Sequence, residues 1–151
     1  MKVVLQRVTE ASVHVDSEQI SKISDGLLLL WGVEKGDTEK DAEALSDKIS
    51  NLRIFSDENN KMNRSVLDIN GEVLIVSQFT LNANIKKGNR PSFIESEVPE
   101  RANDLINVAA NRFVSQGIKV QTGEFGALMD IQLNNNGPVT IILNSRDSTV
   151  S

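Results

Sequence analysis

The sequence has 151 residues, of which 39% are hydrophobic and 25% are charged, so it predicts one soluble globular domain with a substantial core. It contains no cysteine, which excludes disulfides, thiolate nucleophiles and cysteine-based zinc sites. A formal net charge of -5 argues against broad, non-specific binding to nucleic acid but leaves room for a small basic site. Neither a signal peptide nor an apolar run of roughly 20 residues is present, so we expect a cytoplasmic protein.

The first predicted element is an alternating strand over residues 2–16. Arg7 shares one face of this strand with Val3 and Leu5, where an unpaired guanidinium would be costly. Arg7 therefore either binds carbonyls or a carboxylate inside the fold, or lies exposed on an edge strand. His14, the only histidine, is on the opposite face from Val13 and is expected to be exposed.

A short strand over residues 20–23 and an apolar strand over residues 27–33 follow, separated by a turn. Thr38 and Asp41 form a capping-box pattern, which predicts the start of a helix. Apolar residues then recur at helical spacing, so one face of this helix should pack on the sheet. These residues are Ala42, Leu45, Ile49 and Leu52.

The chain is organised around the segment 72–81, EVLIVSQFTL. Its apolar run from Val73 to Val76 predicts a strand that is covered on both faces, and the preceding Asn70-Gly71 indicates a hairpin. The run ends in Ser77, Gln78, Phe79 and Thr80. Polar groups delivered together by a buried strand are typical of the floor of a polar site. The alternative is a strand that frays into a loop, with Phe79 in the core.

The segment 82–91 has little periodicity and predicts a loop that carries Lys86, Lys87 and Arg90 without any acidic residue. These charges either belong to a solvated loop or contact phosphate groups. Pro99 then suits the first turn of a second helix, and Gly117 suits its C-terminal cap.

Three further strands are predicted over residues 118–122, 127–133 and 139–143. The last two are joined by Asn134 to Pro138, in which Asn136-Gly137-Pro138 is either an ordinary hairpin loop or a rigid turn whose carbonyls hold an ammonium group. Strands outnumber helices, so the sequence predicts a single-domain α+β fold. Its sheet should be curled, barrel-like and mostly antiparallel, with two main helices.

The chemistry-bearing side chains exclude several enzyme classes. No Ser-His-Asp triad, Walker-type loop or cluster with metal-ligand spacing can be assigned, so we expect no metal and no cofactor. The hydroxyls of Ser77 and Thr80 have no evident general base. If the protein is an enzyme, its catalysis must depend on positioning, backbone dipoles and water.

Several segments together resemble the D-aminoacyl-tRNA deacylase family, also described as the D-Tyr-tRNA(Tyr) deacylase family. They are LQRVTEASVHVD, GLLLLWGVEKGDT, KISNLRIFSDENNKMNRSV, VSQFTL, KKGNRPSF and NNNGPVTIIL. The resemblance covers residues 1–145 as one deacylase domain and leaves 146–151 as a flexible polar tail. Two positions depart from the common pattern: Asn82 stands where an aromatic residue is frequent, and Asn136 stands where an acidic residue is frequent.

The resemblance implies a cytoplasmic homodimer that hydrolyses the ester of D-aminoacyl-tRNA and of glycyl-tRNA, including glycine mischarged on alanine tRNA, while rejecting L-aminoacyl-tRNA. The carbonyls of Gly137 and Pro138, in a cis peptide inserted into the partner's pocket, would capture the substrate's ammonium group. Arg7 would hold this turn in place, Asn136 would belong to the substrate-binding residues, and Met129 would pack against the adenine or the pocket wall.

The resemblance also assigns Ser77, Gln78, Phe79 and Thr80 to the pocket and to catalysis, with backbone N–H groups near Phe79 and Thr80 stabilising the oxyanion. Either Thr80 is the nucleophile or the 2′-hydroxyl of the tRNA assists; a hydroxyl without a base favours the second. Lys86, Lys87 and Arg90 would contact the tRNA backbone. A dimeric nucleic-acid-binding module without activity and an esterase for small molecules are the competing interpretations.

Overall fold

The computed structural model describes residues 1–151, which form one curled sheet of seven strands, a separate two-stranded sheet and two helices. The strands are β1 (Lys2–Val15), β2 (Glu18–Ile23), β3 (Gly26–Gly32), β4 (Phe55–Ser56), β5 (Met62–Arg64), β6 (Glu72–Ser77), β7 (Lys119–Thr122), β8 (Asp130–Arg146) and β9 (Thr149–Val150). The helices are α1 (Glu39–Ser50) and α2 (Pro99–Ser115), and a 3₁₀ turn spans Phe79–Asn82. Neither helix is long and apolar enough to cross a bilayer.

The long strand β1 lies at the centre of the main sheet. One of its edges pairs first with β3 and then with β2, and its other edge pairs with β8, all antiparallel. Beyond β3, strands β6 and β7 are added in parallel, since α1 and α2 lie in the crossover connections. The predicted α+β fold with a curled, mostly antiparallel sheet and two main helices is therefore confirmed.

The core has two parts, one on each face of the sheet. The larger cluster joins the helices to the sheet through side chains such as Leu5, Trp31 and Phe113, and the smaller cluster fills the curl and includes Val8 and Leu74. Along β6, successive side chains enter alternate clusters, and all four residues from Val73 to Val76 are fully buried. The predicted coverage of this strand on both faces is confirmed.

Both helix starts follow their predicted signals. Thr38 is the N-cap of α1 and forms a reciprocal capping box with Asp41, and Pro99 begins α2. Gly117 follows α2 with φ of +86°, a left-handed conformation that favours glycine at a helix end.

Three local predictions were wrong. Asn70-Gly71 makes no hairpin, because β6 pairs with β3 and β7 rather than with a preceding strand. Residues 134–138 do not separate two strands, because β8 runs through them from Asp130 to Arg146. The end of the chain, expected to be a flexible polar tail over 146–151, turns back as β9 and pairs with β8. Its last residue, Ser151, exchanges two backbone hydrogen bonds with Asn144.

The carboxylate of Asp41 holds the C-terminal hairpin, formed by β8 and β9, against α1. It accepts hydrogen bonds from Ser145 Oγ (2.7 Å), the Ser148 N–H (2.9 Å) and both the N–H and the hydroxyl of Thr38. Burial alone would raise the pKa of Asp41, but these donors together outweigh it and hold the pKa well below its usual range.

We expect Asp41→Ala to lower the free energy of unfolding by about 3 kcal/mol, because several donors lose a shared acceptor. Since the folded pKa is depressed, this stabilisation is complete above the unfolded value of about 3.9 and is lost as pH falls below it. Urea unfolding at neutral and acidic pH measures both effects. Glu43→Ala, at an exposed position of the same helix, should change stability by less than about 0.5 kcal/mol.

Candidate functional site

The 3₁₀ turn after β6 is fixed against the end of β3. The Gln78 N–H donates to Trp31 O (2.8 Å), and Asn82, which is buried, donates its amide to Val33 O (2.7 Å). Gly32 allows this close approach, because a Cβ at that position would lie 3.0 Å from Gln78 O. The residues Ser77 to Thr80 are therefore held in a defined conformation at the C-terminal end of β6.

This turn presents hydrogen-bond donors rather than a base. Within the turn, the Leu81 N–H donates a hydrogen bond to Gln78 O. The N–H groups of Phe79 and Thr80 donate to no other group among the turn and loop hydrogen bonds. Both residues are exposed. The Thr80 hydroxyl accepts a hydrogen bond from the Gln78 side-chain amide, and no carboxylate or imidazole is bonded to it. The arrangement is suited to binding an oxyanion and not to activating Thr80.

Arg7 binds carbonyls, which decides between the two alternatives that the sequence left open. Its Nε donates to Asn136 O (3.1 Å), its Nη2 to Asn136 Oδ1 (3.3 Å) and its Nη1 to Ile54 O. Register shifts in the β1–β8 pairing on both sides of Val8 accompany this contact. The guanidinium is therefore half-buried and joins the segment that precedes Gly137 to the loop before β4.

The Gly137–Pro138 peptide is cis, and both residues are exposed. Gly137 has φ of +128°, and a Cβ there would lie 2.8 Å from Val139 Cγ2 and 2.9 Å from Arg7 Nη2. Asn135, which the sequence analysis did not single out, connects the two sides of the turn through hydrogen bonds. Its side-chain amide donates to Arg7 O (3.0 Å) and to Val139 O (2.9 Å). Its one signal in the sequence is a polar residue two positions before a Gly-Pro pair.

The protomer does not bring the two predicted site segments together. Ser77 is in register with Trp31 and, through it, with Val3, whereas the Gly137–Pro138 turn lies opposite Arg7. Four residues along a strand correspond to about 13 Å, and three strand spacings add about 14 Å across the sheet. The two segments lie at opposite ends of a partly open sheet face formed by Val4, Gln6, Leu30, Thr140 and Ile142. Ile142 on this face is 68% exposed.

The remaining residues singled out from the sequence lie partly near the end of β6 and partly away from the site. Met129 is half-buried and packs on the smaller core cluster beside Gly123 and Val76, close to the end of β6. Lys86, Lys87 and Arg90 are exposed in the loop that follows the 3₁₀ turn. His14 was expected to be exposed but is half-buried, with Nδ1 unpartnered, near the end of β1 remote from this site.

Comparison with known proteins places this geometry in one family. The model of the family described as D-Tyr-tRNA(Tyr) deacylase matches residues 4–144. A protein of Aquifex aeolicus named D-aminoacyl-tRNA deacylase is 54% identical over 147 residues, covering 97% of this chain and 99% of its own. One of the same name from Bacillus thuringiensis is 52% identical over 146 residues, covering 97% and 100%.

Two solved structures share the fold. The first, named c-Myc DNA Unwinding Element Binding Protein, has a TM-score of 0.90 at 43% identity and covers 97% of this chain and 99% of its own. The second is described as a probable eukaryotic D-amino acid tRNA deacylase and has a TM-score of 0.79 over 93% of this chain and 97% of its own. At 15% identity, the second likeness concerns the fold alone.

Proposed function

The chain belongs to the D-Tyr-tRNA(Tyr) deacylase family, and we propose that it hydrolyses the ester bond of D-aminoacyl-tRNA to release the free D-amino acid and tRNA. The observation that carries this proposal is the anchored turn at the end of β6, with the Phe79 and Thr80 N–H groups free. Ester hydrolysis passes through a tetrahedral oxyanion, and preorganised N–H donors stabilise such a species. The Ser77 and Gln78 side chains line the same end of the strand.

The complete site is formed by two copies of the chain. The open sheet face between the two site segments supports this assignment, since a twofold partner seated there would bring its own Gly137–Pro138 turn towards the Thr80 turn. In the proposed homodimer, Arg7 and Asn136 of one copy hold the turn used by the other copy.

Main-chain carbonyls distinguish the D-aminoacyl from the L-aminoacyl substrate. The carbonyls of Gly137 and Pro138 accept hydrogen bonds from the substrate's α-ammonium, so a D side chain points away from the turn and an L side chain collides with it. Glycine has no side chain to exclude, so glycyl-tRNA is also cleaved, including glycine mischarged on alanine tRNA. Met129 packs beside the adenine of the substrate, and the activity belongs to the cytoplasm, where aminoacyl-tRNA is used.

Incubation of the purified protein with matched D- and L-aminoacyl-tRNA tests this function. We expect rapid release of the D-amino acid and retention of the L ester. Binding of both substrates without release would favour a nucleic-acid-binding module. Equal cleavage of simple D-aminoacyl esters that carry no RNA would favour a small-molecule esterase instead.

The basic loop gives a separate prediction. Each phosphate contact contributes about 0.7 to 0.9 to the slope of log K against log salt, so replacing Lys86, Lys87 and Arg90 by Gln should lower that slope by about 2. Binding of tRNA measured between low and physiological salt gives the slope. Replacing Lys40, Lys48 and Lys61 by Gln changes the net charge by the same amount at other exposed positions. This control variant should have the same salt slope as the wild type. If the two triple variants have equal slopes, the loop charges are solvated and do not contact phosphate groups.

A further inference from the structure

Two exposed aromatic rings lie side by side at the candidate site. The Phe79 and Phe93 rings meet edge to face, with centroids 5.0 Å apart and planes at 73°, and the two residues are 58% and 36% exposed. Ile85 and Ile94 nearby are more than half exposed. Grouped apolar surface of this kind, next to polar groups, indicates a binding site.

The segment that carries Phe93 is fixed to the same strand end as the 3₁₀ turn. The Glu97 N–H donates to Val33 O (3.1 Å), and the Lys35 N–H donates to Glu95 O (2.9 Å). Ser96 Oγ donates to Phe79 O (3.4 Å), which joins the two ring-bearing segments directly. The pair is thus held in place before any ligand binds, which reduces the entropy lost on binding.

The charge of the loop between the two rings favours a polyanion, although Glu95 and Glu97 follow Phe93. No Asp or Glu occurs between Glu72 and Glu95, although the whole chain has a net charge of -5. Within that acid-free stretch, Asn84 and Ser92 exchange two backbone hydrogen bonds of 2.8 and 3.0 Å, which close the loop that carries the three basic residues. None of these three cations takes part in an ion pair of the protomer. Aromatic rings beside a basic loop are the combination that binds single-stranded nucleic acid, through stacking and phosphate attraction together.

We propose that Phe79 and Phe93 form a stacking platform for an unpaired nucleotide of the RNA strand that leads to the ester-bearing adenosine. The inference rests on the proposed function, because Phe79 supplies both a ring to this platform and a free N–H to the deacylation site. The strand then passes from the basic loop across the two rings to Thr80. A base-paired end cannot stack in this way, so the platform selects substrates with an unpaired 3′ terminus.

The test measures equilibrium binding of two unacylated RNA hairpins, one with a four-nucleotide 3′ single strand and one blunt. Wild-type protein should prefer the hairpin with the single strand at least about fivefold, which is the lower end of what stacking of one base contributes. Phe93→Ala and Phe93→Leu should both lose most of this preference, since leucine keeps apolar area but has no ring face, whereas Phe93→Trp should keep it. Val114→Ala, at a 57% exposed position on α2, is the matched control and should behave as wild type.

The platform is refuted if the wild type binds both hairpins equally, or if Phe93→Leu retains the full preference. Thermal unfolding of each variant separates these results from misfolding. Deacylation of D-aminoacyl-tRNA by the wild type is measured in parallel. Normal deacylation without any preference for the single strand rejects the platform and leaves the proposed function intact, whereas no deacylation rejects the function itself.

Discussion

A D-aminoacyl-tRNA whose terminal adenosine lacks the 2′-hydroxyl should be hydrolysed about 100-fold to 10,000-fold more slowly by the wild-type protein, the range expected when an acid–base group is lost. Thr80→Ala should slow the normal substrate by less than about tenfold. The reason lies in the hydrogen bonds of Thr80, whose hydroxyl oxygen accepts from Gln78 and has no basic partner. The substrate hydroxyl, in contrast, is adjacent to the ester and is positioned by the same binding contacts.

Single-turnover rates at saturating enzyme isolate this chemical step from binding. The control is the dissociation constant of the 2′-deoxy substrate, which should match that of the normal substrate within about threefold if only the chemistry has changed. A severe loss in Thr80→Ala combined with a mild 2′-deoxy effect would make Thr80 the nucleophile. Retained activity of Thr80→Ala also agrees with an oxyanion site made by backbone N–H groups, which this substitution keeps.

Local sequence signals predicted those parts of the fold whose causes are local. The run Val73–Val76 is buried on both faces, and the capping pair Thr38 and Asp41 starts α1, because each depends on residues that are close in the chain. The path of β8 depends instead on β1, which pairs with it on both sides of the register shifts near Val8. The final hairpin likewise depends on the Asp41 carboxylate of α1, which accepts hydrogen bonds from Ser145 and Ser148, more than 100 residues away.

The candidate site shows the same limit. The polar end of β6 could be identified from its sequence alone, and the unusual face of Arg7 indicated a need for partners. Its actual partners, Ile54 O and Asn136 O, are 47 and 129 residues away and follow no sequence pattern. Phe93 follows the loop 82–91 and belongs to no predicted element, so only the folded chain reveals its contact with Phe79.

The second large effect is expected at Gly137. Gly137→Ala should lower kcat/KM for D-aminoacyl-tRNA by at least about 100-fold, because its Cβ would overlap Val139 and the Arg7 guanidinium, both under 3.0 Å away, at a φ of +128°. Relief requires Arg7 to move, which releases the Asn136 carbonyl and displaces the turn. Gly117→Ala is the matched control, since Gly117 also has positive φ but no atom within 4 Å of the added Cβ. It should reduce stability slightly and leave kcat/KM within about twofold.

Mixing two inactive variants tests whether the Gly137 turn serves the other copy. Gly32→Ala should also inactivate the protein, because its Cβ would press on Gln78 O and Asn82 at 3.0 and 3.1 Å and displace the Thr80 turn. In a hybrid dimer of Gly137→Ala and Gly32→Ala, a cross-subunit arrangement leaves one site with both segments intact. Refolding the two variants together should then restore about a quarter of the wild-type activity, since half of the dimers are hybrids with one good site each. If each site lay within one protomer, every site would keep one defect and the mixture would stay inactive.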